Sequence, residues 1–190
     1  IMKPGMRLSF NNNSGKWYAE PRFSANFKAS DAFSARIAMG RYYQFINQVL
    51  AQQETGYNKN FWVMADRKDH PAVASNHYIA GITAEKGRFL LDAEVYYKTF
   101  SGIQEYVFVS QFLEHSDFPD YFPGNGTGAP PPKDKRASFY VTGKGKSYGL
   151  DLLLRYKGRI CASWFSLSLG HSRQNFPEIN SGSEIPSPAD

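Results

Sequence analysis

Residues 17–43 read WYAEPRFSANFKASDAFSARIAMGRYY, and their alternation decides the fold class. In the first half Trp17, Ala19, Phe23, Ala25 and Phe27 share one face, and Tyr18, Glu20, Arg22, Ser24, Asn26 and Lys28 share the other. After a tight turn at Ala29-Ser30-Asp31-Ala32, the residues Phe33, Ala35, Ile37 and Met39 alternate with Ser34, Arg36, Ala38 and Gly40. A period of two marks β-strands, and here it lasts for about ten residues per strand. Soluble strands average about five or six residues, whereas a tilted strand crossing a bilayer core needs about nine to eleven. One apolar face and one charged face is the pattern of a membrane barrel with a wet lumen.

The same pattern continues outward from this hairpin. Met6, Leu8 and Phe10 line one side of a strand before the Asn11–Gly15 turn. Pro21 lacks a ladder donor, which predicts a bulge or a place outside regular pairing. Asn76–Ala84 and Arg88–Lys98 form a second hairpin around Glu85-Lys86-Gly87, with Phe89, Leu91, Ala93, Val95 and Tyr97 outward and Asp92 and Glu94 inward. Tyr148–Tyr156 and Arg159–Leu169 form a third, with Leu150, Leu152 and Leu154, then Cys161, Phe165, Leu167 and Leu169, outward. Carboxylates such as Asp92 and Glu94 are costly inside a small soluble sheet and cheap against water.

Between the hairpins lie long connections. Gln44–Ser75 reads as a loop, with one or two helical turns compatible with Ile46–Gln53. Phe100–Ser147 is a second excursion, broken by Gly124–Gly128 and Pro130–Pro132, with strand extensions over Ile103–Phe112 and Ala137–Val141. Arg173–Asp190 opens a third. Short turns near residues 30, 86 and 157 alternate with these loops, as short periplasmic turns alternate with long extracellular loops in outer-membrane barrels. The expected fold is all-β: an antiparallel meander of about seven long strands, forming part of a transmembrane β-barrel. Residues 1–190 read as a single partial barrel domain, without a linker or repeat.

Composition narrows the function. The mean hydropathy of −0.49 reads as soluble, but alternating faces average out on such scales. The 12 Tyr and 15 Phe suit the interfacial aromatic girdles of a barrel, and equally a carbohydrate-binding sandwich. No run of 18 apolar residues encodes a spanning helix. A net charge of +5 is spread along the chain with no basic-aromatic platform, so nucleic acid is not an expected partner. His70, His77, His115 and His171 lack metal-ligand spacing, no nucleophile elbow is present, and no metal, cofactor or enzymatic activity is expected. Gly143-x-Gly145-x-x-x-Gly149 has the wrong spacing for a dinucleotide fingerprint and leads into a strand.

Two residue sets remain as candidate sites. Tyr57, Phe61, Trp62, Tyr106, Tyr121 and Phe122 are loop aromatics whose faces suit apolar or sugar surfaces. Arg22, Arg36, Asp92, Glu94, Asp151 and Arg155 are expected to line a lumen.

Three strings near the start carry a resemblance: Lys3-Pro4-Gly5-Met6-Arg7-Leu8, Tyr18-Ala19-Glu20-Pro21-Arg22-Phe23-Ser24, and Gly40-Arg41-Tyr42-Tyr43-Gln44. Two follow later: Gly143-Lys144-Gly145-Lys146-Ser147-Tyr148-Gly149-Leu150-Asp151, and Leu167-Ser168-Leu169 leading to Phe176-Pro177-Glu178-Ile179-Asn180. Their order and spacing resemble the barrel of TonB-dependent outer-membrane receptors, with the flavour of those of Bacteroidetes. The resemblance implies a plugged barrel in the cell outer membrane that imports a siderophore, cobalamin or glycan, powered by the TonB complex through a plug. It further implies that residues 1–190 are a middle-to-late slice of such a barrel, without plug or TonB box. The alternative reading is a soluble antiparallel β-sandwich that binds carbohydrate, with the apolar faces buried against a second sheet.

Overall fold

The computed structural model describes residues 1–52, 58–106, 140–177 and 183–186. Its strands are β1 (Met2–Asn11), β2 (Lys16–Lys28), β3 (Phe33–Gln44), β4 (Ile46–Gln52), β5 (Asn58–Met64), β6 (Val73–Lys86), β7 (Phe89–Tyr106), β8 (Tyr140–Lys157), β9 (Ala162–Asn175) and β10 (Glu184–Pro186). The chain is an all-β antiparallel meander, with no helix among the described residues. The main sheet runs β1-β2-β3-β6-β7-β8-β9-β10, seven long strands and one of three residues, and β4-β5 form a separate hairpin.

The faces follow from the registers. A row of directly opposed residues runs Ala35, Ile82, Ala93, Leu152 and Leu167 across five strands. Its neighbour on the other side of the sheet runs Arg36, Gly81, Glu94, Asp151 and Ser168. Opposed residues share a face, so the alternation read in each strand stays in phase across the sheet. One side is apolar and uncovered: Phe27 is 68% exposed, Val95 51% and Phe165 60%. Among the large apolar residues exposed on the seven long strands, only Leu153 and Trp164 lie on the polar side. A sandwich would bury this face. Among the described residues no second sheet lies over it.

The described core sits at one end instead, beyond the middle of the strands. Val141 and Phe176 are buried there with Ile103 and Ile185 packed against them. Gly102 adopts a φ of +80° at the bulge between Ser101 and Ile103, where an added Cβ would lie 3.0 Å from the Ala72 carbonyl oxygen. The bulge brings the tip of β7 against the 65–72 segment. Gln104 Nε2 donates to the Asp69 carbonyl at 2.9 Å, and the His70 ring meets Tyr140 edge-on at 4.7 Å.

Several boundaries differ from expectation. Ile46–Gln52 is a strand paired with Asn58–Met64, in place of helical turns within a loop. Val49 and Val63 are buried on one face while Ile46, Trp62 and Met64 are exposed on the other, so the period is two. Cys161 lies outside β9: its carbonyl accepts the Gly158 N–H at 2.8 Å and closes the turn. β9 continues to Asn175, paired with β8 as far as Lys144 on one edge and with β10 over Arg173–Asn175 on the other.

Pro21 stays in register opposite Met6, without a bulge. Successive N–H groups of an antiparallel strand point to alternate neighbours. Asn26 exchanges hydrogen bonds with Ile1, so Pro21 directs its nitrogen towards β3, just past the last β2–β3 pair, Arg22 and Gly40. The missing donor therefore falls where that ladder has already ended. Beyond it the Glu20 carboxylate accepts the Tyr43 N–H at 3.2 Å, bridging strands that no longer pair.

Candidate functional site: the polar face

The polar face organises around two clusters. Arg36 on β3 reaches across β6 to β7. Its guanidinium donates to both Asp92 oxygens, at 2.9 and 2.7 Å, and to Glu94 at 3.1 and 2.9 Å. The Thr83 hydroxyl accepts from Arg36 at 3.0 Å and donates to Asp92 at 2.7 Å. Opposite Arg36 stands Gly81, where an added Cβ would lie 2.9 Å from the guanidinium carbon. The glycine leaves the space that lets the side chain lie flat across its strand. A bidentate fork of this kind fixes geometry as well as charge.

The second cluster lies nearer the long-connection end and combines cations with rings. Arg22 bonds Glu20 at 2.9 Å, and its guanidinium stands 4.7 Å from the centre of the Tyr42 ring. Tyr42 packs 4.7 Å from His77, whose ring is 6.5 Å from Phe100. His77 Nε2 lies 2.7 Å from the Ser75 hydroxyl. Lys98 stands 4.8 Å above Tyr96. A cation over a ring face gains about 0.5–1 kcal/mol where exposed and about 2 kcal/mol where desolvated.

Tyr96 also lies over two glycines. An added Cβ at Gly149 would meet the Leu169 carbonyl oxygen and would stand 2.6 Å from Tyr96 Cζ, and one at Gly170 would stand 3.0 Å from the Tyr96 hydroxyl. Gly149→Val is therefore expected to destabilise the fold by about 1–3 kcal/mol through overpacking. The check is the urea midpoint of refolding in detergent. Removing the Tyr96 ring in the same chain should recover only part of the loss, since the Leu169 backbone stays in place.

Of the six expected polar-face residues, Arg36, Asp92 and Glu94 converge and Arg22 joins the aromatic cluster. Asp151 sits opposite Glu94 and Ser168, and Arg155 opposite Leu90 and Trp164. Both share the face, but neither has an ionic partner among the described residues. Of the loop aromatics, Trp62 is exposed on β5 beside Met64 and Ile46. Phe61 and Tyr106 belong to strands β5 and β7 rather than to loops, and their side chains lie outside the described part. Tyr57, Tyr121 and Phe122 lie outside the described residues altogether.

Sequence reasoning passed over Glu20, 3% exposed and bonded to Arg22 and the Tyr43 N–H. Its signal was a carboxylate beside a strand proline. His77 reads as an ordinary surface histidine in the sequence, yet it lies between two rings. Among the described residues no three His, Cys, Asp or Glu side chains gather as metal ligands.

Beyond the sheet, Asp66 holds the 65–70 turn. Its Oδ1 accepts the N–H groups of Lys68, Asp69 and His70, each at 2.9 Å. The His70 hydrogen bond, followed by those from Lys68 and Asp69, holds its carboxyl below the ordinary value of 3.8. A lowered pKa stabilises the turn fully above the unfolded value, and that contribution disappears as pH falls through the folded one. Amide exchange of residues 65–70 is therefore expected to accelerate below pH 3.8 and, in Asp66→Ala, to be fast and pH-insensitive apart from the intrinsic rate.

No protein-family model matches the chain, and no curated protein sequence matches it. Among solved structures it is similar to the siderophore receptor PirA from Pseudomonas aeruginosa, with a TM-score of 0.45 and 10% identity over 94% of this chain. The chain spans 39% of the length of that receptor.

Proposed function

We propose that this chain is part of the barrel wall of an outer-membrane, TonB-dependent nutrient receptor, a transporter rather than an enzyme. The observation that carries the membrane reading is the uncovered apolar band and its borders. Tyr78, Tyr97 and Tyr148 stand in one row with His171, and Phe89 faces Tyr156 in another. Tyr148 and Tyr156 are eight residues apart. That is about 27 Å along a strand, or about 21 Å of height at a tilt of ~40°, close to the ~25 Å apolar band of outer-membrane barrels. In water such a surface drives aggregation; in lipid it is the solvated side.

On this reading the polar face lines the lumen. The Arg36–Asp92–Glu94 network stiffens the wall, and the rings and cations of Arg22, Tyr42, His77, Tyr96 and Lys98 offer a surface to a passing solute or to a plug. The solute class is a scarce nutrient such as a siderophore, cobalamin or a glycan. Coupling to TonB rests on the sequence resemblance, with the plug as the element that would receive the energy.

The test is made in cells producing the intact receptor. It should fractionate with the outer membrane, migrate faster on gels before heating than after, and support uptake that stops when TonB is deleted. Uptake that survives TonB deletion would remove the energy coupling. A soluble, heat-insensitive protein would remove the barrel.

A further inference from the structure

We infer that a groove at the short-turn end of the apolar face binds an anionic phospholipid, its phosphate head at Lys86 and Arg88 and its acyl chains along Phe89, Leu154, Tyr156 and Phe165. The groove has a volume of 980 Å³ and is lined by these six residues with Ser163 and Trp164. The inference rests on the membrane reading above and adds to it a specific site and a charge preference.

The layout is that of an amphiphile. Phe89 and Tyr156 oppose each other across β7 and β8, their ring centres 4.9 Å apart, and Leu154 opposes Phe165 across β8 and β9. These apolar walls run along the strands from the aromatic row into the band. Both cations lie at the aromatic-row end, beside the turn. Lys86 is the last residue of β6, opposite Phe89, and Arg88 is in the turn.

Neither cation has an ionic partner among the described residues. Lys28, at the same end of the sheet, is neutralised by Asp31 at 2.6 Å. The neighbouring acid, Glu85, opposes Leu90 and belongs to the polar face. Two uncompensated cations at the border of a lipid-facing band attract phosphate, and each basic group near a charged membrane surface strengthens binding several-fold. A free inorganic anion would satisfy the cations but would leave the apolar walls in contact with water. A zwitterionic lipid would fill the walls with less charge complementarity. An anionic phospholipid satisfies both.

The experiment uses the intact receptor in nanodiscs and measures, by native mass spectrometry, retained phosphatidylglycerol against phosphatidylcholine. The wild type should retain phosphatidylglycerol preferentially. Lys86→Gln with Arg88→Gln should lower that preference by about thirtyfold. Lys86→Arg should preserve it, and so should Lys28→Gln on the other face. An unchanged preference in the double variant, with insertion and heat-modifiable migration intact, would overturn the lipid site and leave the barrel standing. A wild type that fails to insert would overturn both.

Discussion

With the apolar band facing lipid as proposed, arginine in place of Leu152 is expected to cost about 2–4 kcal/mol of folding stability in a bilayer. Leu152 lies midway between Tyr148 and Tyr156, in the row it shares with Ile82, Ala93 and Leu167. A guanidinium there must be taken out of water at the greatest distance from either interface. The neighbouring position supplies the control. Leu153 is also a leucine in β8, but it opposes Asp92 and Ser166 on the polar face. Leu153→Arg should change stability by less than about 0.5 kcal/mol, as surface substitutions do. Urea titrations in lipid vesicles, with the heat-modifiable band as readout, compare the two directly. Equal losses at both positions would mean that Leu152 does not face lipid.

The second large effect is expected at Arg36. Alanine there leaves Asp92 and Glu94 as neighbouring carboxylates with, among the described residues, no cation between them and only Thr83 still donating. Breaking a fully buried pair costs about 3–5 kcal/mol, and an exposed one contributes about 0–1. The side chains of Arg36, Asp92 and Glu94 are 34%, 27% and 29% exposed, between those limits. A loss of about 2 kcal/mol is therefore expected. The loss should nearly vanish when Arg36→Ala is made in a chain already carrying Asp92→Asn and Glu94→Gln, because no charge is then left stranded. A full loss in that background would assign the effect to the packing of Arg36 over Gly81 instead of to its charge.

The lysine and arginine residues of this chain thus differ in ways their spread along the sequence conceals. Arg36 and Arg22 are tied into clusters on the polar face. Lys28 is paired with Asp31 at 2.6 Å, and Lys146 and Arg173 share the single carboxylate of Glu184 at 2.6 and 3.3 Å. Lys86 and Arg88, beside apolar walls, have no ionic partner among the described residues. The net charge of +5 describes none of this, since its sum discards position.

Which residues share a face was determined by the sequence alone. Alternation is a property of one strand's pleat, so Phe23, Leu91, Leu152 and Phe165 could be assigned together without knowing which strands are neighbours. The three short turns were legible for the same reason, being set by adjacent residues. Tertiary structure decided everything that depends on register or on distant partners. Ile46–Gln52 mixes polar and apolar residues over too short a span to declare its period, and becomes a strand through pairing with Asn58–Met64. Arg36 meets Asp92 and Glu94 because β3, β6 and β7 align, although 56 and 58 positions separate them in the chain. Glu20 became buried because the β2–β3 ladder ends beside it, and the apolar groove exists because Phe89, Tyr156 and Phe165 fall on adjacent strands. Pleat is local and survives in the one-dimensional text; register is a choice among many pairings, made only when the whole sheet forms.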